Sequence, residues 1–386
     1  MSVTKITDSN IESIDASKLT GALPANMSDI TKSAVDPAID TNPVGGVGTV
    51  FLNTTSGEMF SLTDATTDQN TWTNTGSGAG DVVYIPPVYQ GTQYGYSVAG
   101  TANTSAVERF SFTTDGNSTY VGDIVTARAA LTGNSSYTHG YDSGSSSIST
   151  VIDKFSFYGN HTASLVGSLN LPKGYAAGQS SSTNGYASGG QSATPLSMLT
   201  IDKISFFTDG DSTNIGNLTV NRGHGGGCSS TTHGYTSCGL EIFPAGGNTA
   251  TSYIDKFSFS SDGSATTVGN ASRIKTDNPS CSSSSHGYNV SGYNQYSALG
   301  GTSGPTNEID KYSFSSDGNA TIVGTLSYIR YGGAGCSSVV YGYLAGGYAN
   351  GTYYSTITKF NFSSESSIVD IGDLTATMFF NEGHQV

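Results

Sequence analysis

The chain has 386 residues with a formal net charge of −14; only 11% are charged, while 51 are glycine and 23 tyrosine. That surplus of negative charge repels polyanions and argues against DNA or RNA as a partner, and no run approaches the 18 apolar residues of a membrane-spanning helix. Serine, threonine and asparagine replace the alanine, leucine, glutamate and lysine that long helices need, so the composition reads as short strands joined by turns.

Met1–Asn10 has no apolar core of the signal-peptide kind, so an exported protein would need another way out, of which release by cell lysis is one. Residues 1–44 read as an extended attachment segment, turn-rich around Ile14–Pro24 (IDASKLTGALP). Residues 45–77 read as a small β module. Thr49–Leu52 and Glu58–Leu62 flank Ser56-Gly57 at hairpin spacing, Asn70–Thr73 follows as a third strand, and Ser77–Gly80 is a flexible hinge. The phrases Ile14–Pro24 and Leu52–Met59 (LNTTSGEM) resemble N-terminal parts of tail-fibre and related structural proteins of marine tailed phages. The resemblance implies attachment to other virion proteins through this region and synthesis in a bacterial host cytoplasm, with which the missing signal peptide, acidic charge and few cysteines agree.

From residue 78 onward the chain repeats. An aromatic-rich strand with a basic third residue recurs around Arg109, Lys154, Lys203, Lys256, Lys311 and Lys359. An X-Gly-Tyr triplet recurs at Gly95, Gly140, Gly185, Gly234, Gly287 and Gly342, and a Val/Ile-Gly pair at Gly122, Gly167, Gly216, Gly269, Gly324 and Gly372. The basic residue precedes the Val/Ile-Gly glycine by 13 residues in every repeat, and that glycine precedes the next Gly-Tyr glycine by 18. Only the step from Gly-Tyr to the basic residue varies, at 14, 14, 18, 22, 24 and 17.

Each unit therefore reads as strands A to D, with all length variation in the B–C connection. Strand A is a small-residue run such as Gly226–Ser230, and strand B starts at Gly-Tyr. Strand C alternates with period two. Strand D ends at the Val/Ile-Gly pair, and Asp-Gly pairs such as Asp262-Gly263 mark the C–D hairpin. The first strand A is expected near Val82–Tyr89 and the last strand D near Ile368–Leu374, with a tail left over to latch the closure; the alternative is a blade shared between the two termini. Four strands recurring at this spacing are the signature of a propeller blade.

At this point the chain resembles the kelch family, over roughly residues 80–386. The parallels are glycine pairs ending strand B (Gly189-Gly190, Gly346-Gly347), the acidic-basic-aromatic strand C, and a basic residue after strand D (Arg128, Lys173, Arg222, Arg330). The strand-D tryptophan of kelch is missing, since the single tryptophan is Trp72. The expected fold is all-β: a six-bladed kelch-like propeller over 78–386, behind the module and the extended segment. Its blades are placed at about 81–126, 127–171, 172–220, 221–273, 274–328 and 329–376, with a tail at 377–386.

Candidate chemistry is sparse. His139, His233 and His286 share one slot beside a hairpin glycine. Ligands to one metal must converge within about 2.0–2.3 Å of a point, whereas equivalent positions of different blades are spread around a ring. Cys228, Cys281 and Cys336 share an inner-strand slot, filled by Tyr89, Asn134 and Gln179 elsewhere. A Cys228–Cys238 cross-strand disulfide stays open, slightly out of register. Asp209 and Asp211 fit hairpin chemistry better than calcium, which wants six or more oxygens. The strand-C acids and bases fit a ring of blade-to-blade ion pairs. No catalytic constellation stands out, so neither an enzyme nor a cofactor or metal is expected.

The expected function is that of a phage virion protein, a tail or head fibre on the particle surface whose propeller binds a host glycan or protein. The chain is expected to form a homo-oligomer, guessed as a trimer. The alternative is a purely structural decoration or adaptor protein without receptor binding. Recognition is expected in the variable B–C connections, longest at Leu240–Thr251 and Gly292–Asn307, which with the sixth blade's carry Phe243, Tyr293, Tyr296, Tyr348, Tyr353 and Tyr354.

Overall fold

The computed structural model describes residues 30–75, 80–81, 87–100, 104–193, 196–243, 248–295, 303–365 and 368–386. Ile14–Pro24, Val82–Pro86 and Tyr296 lie outside them, as does most of the Ser77–Gly80 stretch. The described residues are all-β, with no helix, and the chain divides into two compact units, Met1–Ile85 and Pro86–Val386.

In the first unit Val50–Asn53 pairs antiparallel with Met59–Asp64, which pairs with Thr71–Asn74. Alternation turns Phe51, Phe60, Leu62 and Trp72 into one core. The module also reaches further back than expected. Ile30–Ser33, from the stretch read as an extended segment, adds a parallel strand against Val50–Asn53.

Among its described residues the second unit holds six main sheets, each with four strands in antiparallel succession; the fifth sheet carries an additional short strand. The second sheet runs Thr132–Ser135, His139–Ser143, Ser149–Ser156 and Ser164–Lys173. The fourth runs Gly226–Ser229, His233–Ser237, Tyr253–Ser258 and Thr266–Asn270. All six sheets share a register shift between strands C and D. In the third, Ile201 opposes Gly216 but Asp202 opposes Asn214. This bulge accounts for the Val/Ile-Gly pair in every unit.

The first sheet corrects the sequence reading. Its inner strand is Glu382–Gln385, which pairs with Tyr94–Val98, followed by Ala106–Ser111 and Thr119–Asp123. Residues 87–90 form no strand. The supposed tail is thus strand A of the first sheet, and His384, not Tyr89, occupies the cysteine slot. The physical reason is that strand Tyr94–Val98 needs a partner on its inner edge, and the C-terminal segment satisfies those backbone groups.

Neighbouring sheets meet through one repeated set of contacts. The triplet tyrosine of each sheet stacks on a strand-C ring of the next: Tyr96 on Phe157, Tyr141 on Phe206, Tyr186 on Phe259, Tyr235 on Phe314 and Tyr288 on Phe362, at 4.7–5.0 Å. Tyr343 of the sixth sheet stacks on Phe112 of the first at 4.6 Å. In five of the six sheets the triplet glycine is required because its own sheet's strand-C ring lies across it; in the third, Asn134 of the preceding sheet lies against Gly185 instead. A Cβ on Gly234 would sit 2.4 Å from Phe257 Cζ.

The strand-C bases pair with acids in the next sheet's C–D turn: Lys154 with Asp209, Lys203 with Asp262 at 2.7 Å, Lys256 with Asp317 at 2.9 Å and Lys311 with Glu365. Lys359 of the sixth sheet reaches Asp115 of the first at 2.6 Å. Arg109 instead lies over the Tyr94 ring. Four of the strand-C acids point the other way, into buried pairs with the bases at or after the end of strand D: Arg128–Asp153, Lys173–Asp202, Arg222–Asp255 and Lys275–Asp310.

Candidate functional site: the cavity mouth and its aromatic run

The inner strands carry glycine and serine where they face one another. A Cβ on Gly178 or Gly227 would meet the carbonyl oxygen of Gly133 or Gly178 at 2.2 or 2.1 Å. The N–H groups of Ser135, Ser180, Ser229 and Ser282 donate to the hydroxyls of Ser180, Ser229, Ser282 and Ser337. Ser337 N donates to Gln385 Oε1 and Gln385 N to Ser135 Oγ, so the series returns to its start. The shared slot one residue earlier points between sheets. Asn134, Gln179, Cys228, Cys281 and Cys336 each donate to the next sheet's strand-B carbonyl, that of Tyr186, Tyr235, Tyr288, Tyr343 or Tyr96. All four cysteines are buried free thiols. Cys228 opposes Tyr235, not Cys238.

A third circle lies where each strand D leads into the next strand A. Ala130, Tyr175, His224, Asp277, Gly332 and Phe380 all take positive φ, between 52° and 66°. The N–H of each of the last five donates to the carbonyl of the one before, at 2.6–3.1 Å, and Ala130 N donates to Phe380 O at 3.0 Å. Five of the six are not glycine, and left-handed backbone in such residues carries strain that the surroundings must hold in place. Here the closed series of hydrogen bonds holds it.

These residues form the mouth of a cavity of about 140 Å³, lined below by Asn278, Glu382 and the inner-strand glycines and serines. Tyr175 stacks on His224 at 4.0 Å, and Phe380 stands edge-on to Tyr175 at 5.2 Å. His224 Nδ1 contacts the Asp277 carboxylate. Burial pushes Glu382 up to about 7.

From the mouth a run of rings extends outward over the sixth and fifth sheets. Phe380 stacks on Phe379 at 3.8 Å, and Phe379 meets both Tyr331 and Tyr348 at 5.3 Å. Tyr331 meets Tyr293 at 5.2 Å. Tyr348 and Tyr353 are cross-strand partners in a hairpin turned by Asn350-Gly351, both at positive φ, with rings 4.9 Å apart. Burial, Asp277 and the neighbouring tyrosines push Tyr331 up to about 12.

Of the expected site residues, Tyr293, Tyr348 and Tyr353 are thus brought together. Tyr354 packs against Tyr328 instead. Phe243 is exposed on the fourth sheet's loop, and no ring contact among the described residues joins it to the run. The sequence reading missed Tyr175, His224, Asp277, Tyr331, Phe379 and Phe380. The signal was present: the six mouth residues all fall 8 positions after the Val/Ile-Gly glycine. Mixed side chains hid the column.

His139, His233 and His286 lie at A–B hairpin tips, with Nδ1 held by Thr138, Thr232 and Ser285. Asp209 engages Lys154 and Tyr141, and Asp211 accepts from Ser168 N. Among the described residues, no three His, Cys, Asp or Glu side chains gather as metal ligands. No protein-family model matches this chain, and no curated protein matches it.

Proposed function

We propose that residues 86–386 are a six-bladed, kelch-like β-propeller on the surface of a phage virion, as a tail or head fibre that binds a host glycan or protein. Support for six blades is the set of contacts that repeats between successive sheets and recurs between the sixth and the first. The observation that carries the binding reading is the aromatic run from Tyr293 to His224. It lies on the face of the D–A and B–C connections, where loops vary in length on a rigid framework. Tyrosine offers a flat apolar face and a hydroxyl, suited to sugars and protein surfaces alike. A second reading, a decoration or adaptor protein that contacts only other virion subunits, draws on the exposed Tyr137, Tyr158 and Phe207 on the opposite turns.

The test is immunogold labelling of virions with antibody to this chain, combined with competition of adsorption by the purified protein. Label on fibres and reduced adsorption support the first reading. Label on the particle without competition favours the second.

A further inference from the structure

We infer that the cavity mouth is a subsite for a neutral sugar residue with vicinal hydroxyls; the inference rests on the attachment reading and specifies its ligand. Three features meet there. Tyr175, His224 and Phe380 are only partly buried and supply the flat faces on which the C–H side of a sugar ring packs. Asp277 supplies directional acceptors. Its two oxygens take one contact each, from His224 Nδ1 and Thr276 Oγ1. A carboxylate has about four lone-pair sites, so one position on each oxygen remains for a hydroxyl donor. Two adjacent acceptors match two adjacent sugar hydroxyls, and hydrogen bonds to a charged acceptor are the stronger kind.

Charge selects among sugars. Among the described residues that line the cavity and its mouth, the carboxyls are Asp277 and Glu382, there is no lysine or arginine, and the His224 imidazole is the group that contacts Asp277. An anionic sugar such as a sialic acid would meet like charge on a protein of net charge −14. A cavity of about 140 Å³ takes the edge of one sugar ring with its water and not a whole oligosaccharide. The rest of a glycan would then lie along Phe379, Tyr348 and Tyr331.

The backbone supplies clean test variants. Gly332 already occupies the equivalent slot in the sixth sheet, and glycine relieves left-handed strain at Asp277 and Phe380. Asp277→Gly and Phe380→Gly therefore remove side chains while keeping the fold, which melting curves would verify. Saturation-transfer NMR on the full chain would use the methyl glycosides of glucose, mannose, galactose and N-acetylneuraminic acid. The expected result is binding of at least one neutral glycoside, weakened tenfold or more in each variant, with no transfer to the sialoside. Binding unchanged in both variants, binding of the sialoside alone, or no binding at all overturns the subsite. Host-cell adsorption separates this from the attachment reading. If Tyr348→Ser loses adsorption while both glycine variants keep it, attachment stands and the subsite falls. If all three adsorb like wild type, both fall.

Discussion

Ala130 donates its backbone N–H to the carbonyl of Phe380 at 3.0 Å, joining the start of the second sheet to the C-terminal strand. The same two segments meet again through Ser135 and Gln385, and through His384 Nδ1 and the Asn134 carbonyl. A few residues of the C-terminal segment thus tie the first sheet to the second.

A truncation that removes Met378–Val386 deletes all three links and the inner strand of the first sheet. It is expected to lower the urea midpoint sharply and to expand the particle in small-angle scattering. A truncated protein with wild-type midpoint and radius would contradict closure through this strand.

Packing between sheets sets the next expectation. Phe257 is buried under Gly234 and packs against Tyr186 of the preceding sheet. Phe257→Ala should cost about 3–5 kcal/mol. Gly234→Ala forces a methyl group into the same ring and should cost about 1–3 kcal/mol. Phe259, half-buried and stacked on Tyr186 at 4.8 Å, should cost less than Phe257. Chemical denaturation measures all three, and values near zero would refute the strand-C assignment.

The two sets of ion pairs should behave differently. Lys275 and Asp310 are fully buried at 3.2 Å. Lys275→Met leaves the carboxylate without its cation and should cost about 3–5 kcal/mol. Lys359 and Asp115 lie nearer solvent, and Lys359→Met should cost under about 1 kcal/mol. Equal costs would contradict the burial difference.

Stability should fall as pH rises from about 5 to about 8. Burial holds Glu382 at about 7, against an ordinary 4.5. Burial works against the His384 charge, but the Asp142 carboxylate 2.9 Å from Nε2 outweighs it and holds the imidazole above its ordinary 6.5. Both groups bind protons more tightly when folded. Their stabilisation is complete below the unfolded values and is lost as pH rises through the folded ones. The melting temperature should therefore fall between pH 5 and pH 8. Glu382→Gln should flatten that fall and raise stability at pH 8 by up to ~3 kcal/mol. A variant with an unchanged profile would remove Glu382 as a cause.

The repeat, the strand order and the buried alternation were legible because their causes are local. Turn chemistry marks the hairpins, period two marks strand C, and glycine marks each place where a ring or carbonyl lies across the backbone. The closing strand was not legible. Glu382-Gly383-His384-Gln385 keeps the glycine of its slot but replaces the usual neighbours, and its partner Tyr94–Val98 lies at the other end of the second unit. The aromatic site was half legible. Tyr293, Tyr348 and Tyr353 stand in loops of varying length, which draw attention. Tyr331, Phe379 and Phe380 stand in connections of constant length, where only their ring contacts in the folded chain distinguish them.

Host-cell adsorption by paired surface variants tests the attachment face most directly. Tyr331→Ser with Tyr348→Ser breaks the aromatic run, while Tyr158→Ser with Phe207→Ser alters the exposed rings of the opposite turns and leaves the run intact. The account predicts that the first pair, correctly folded, loses adsorption at least tenfold and that the second adsorbs like wild type. Adsorption kept by the first pair and lost by the second would place recognition on the opposite face and contradict the account.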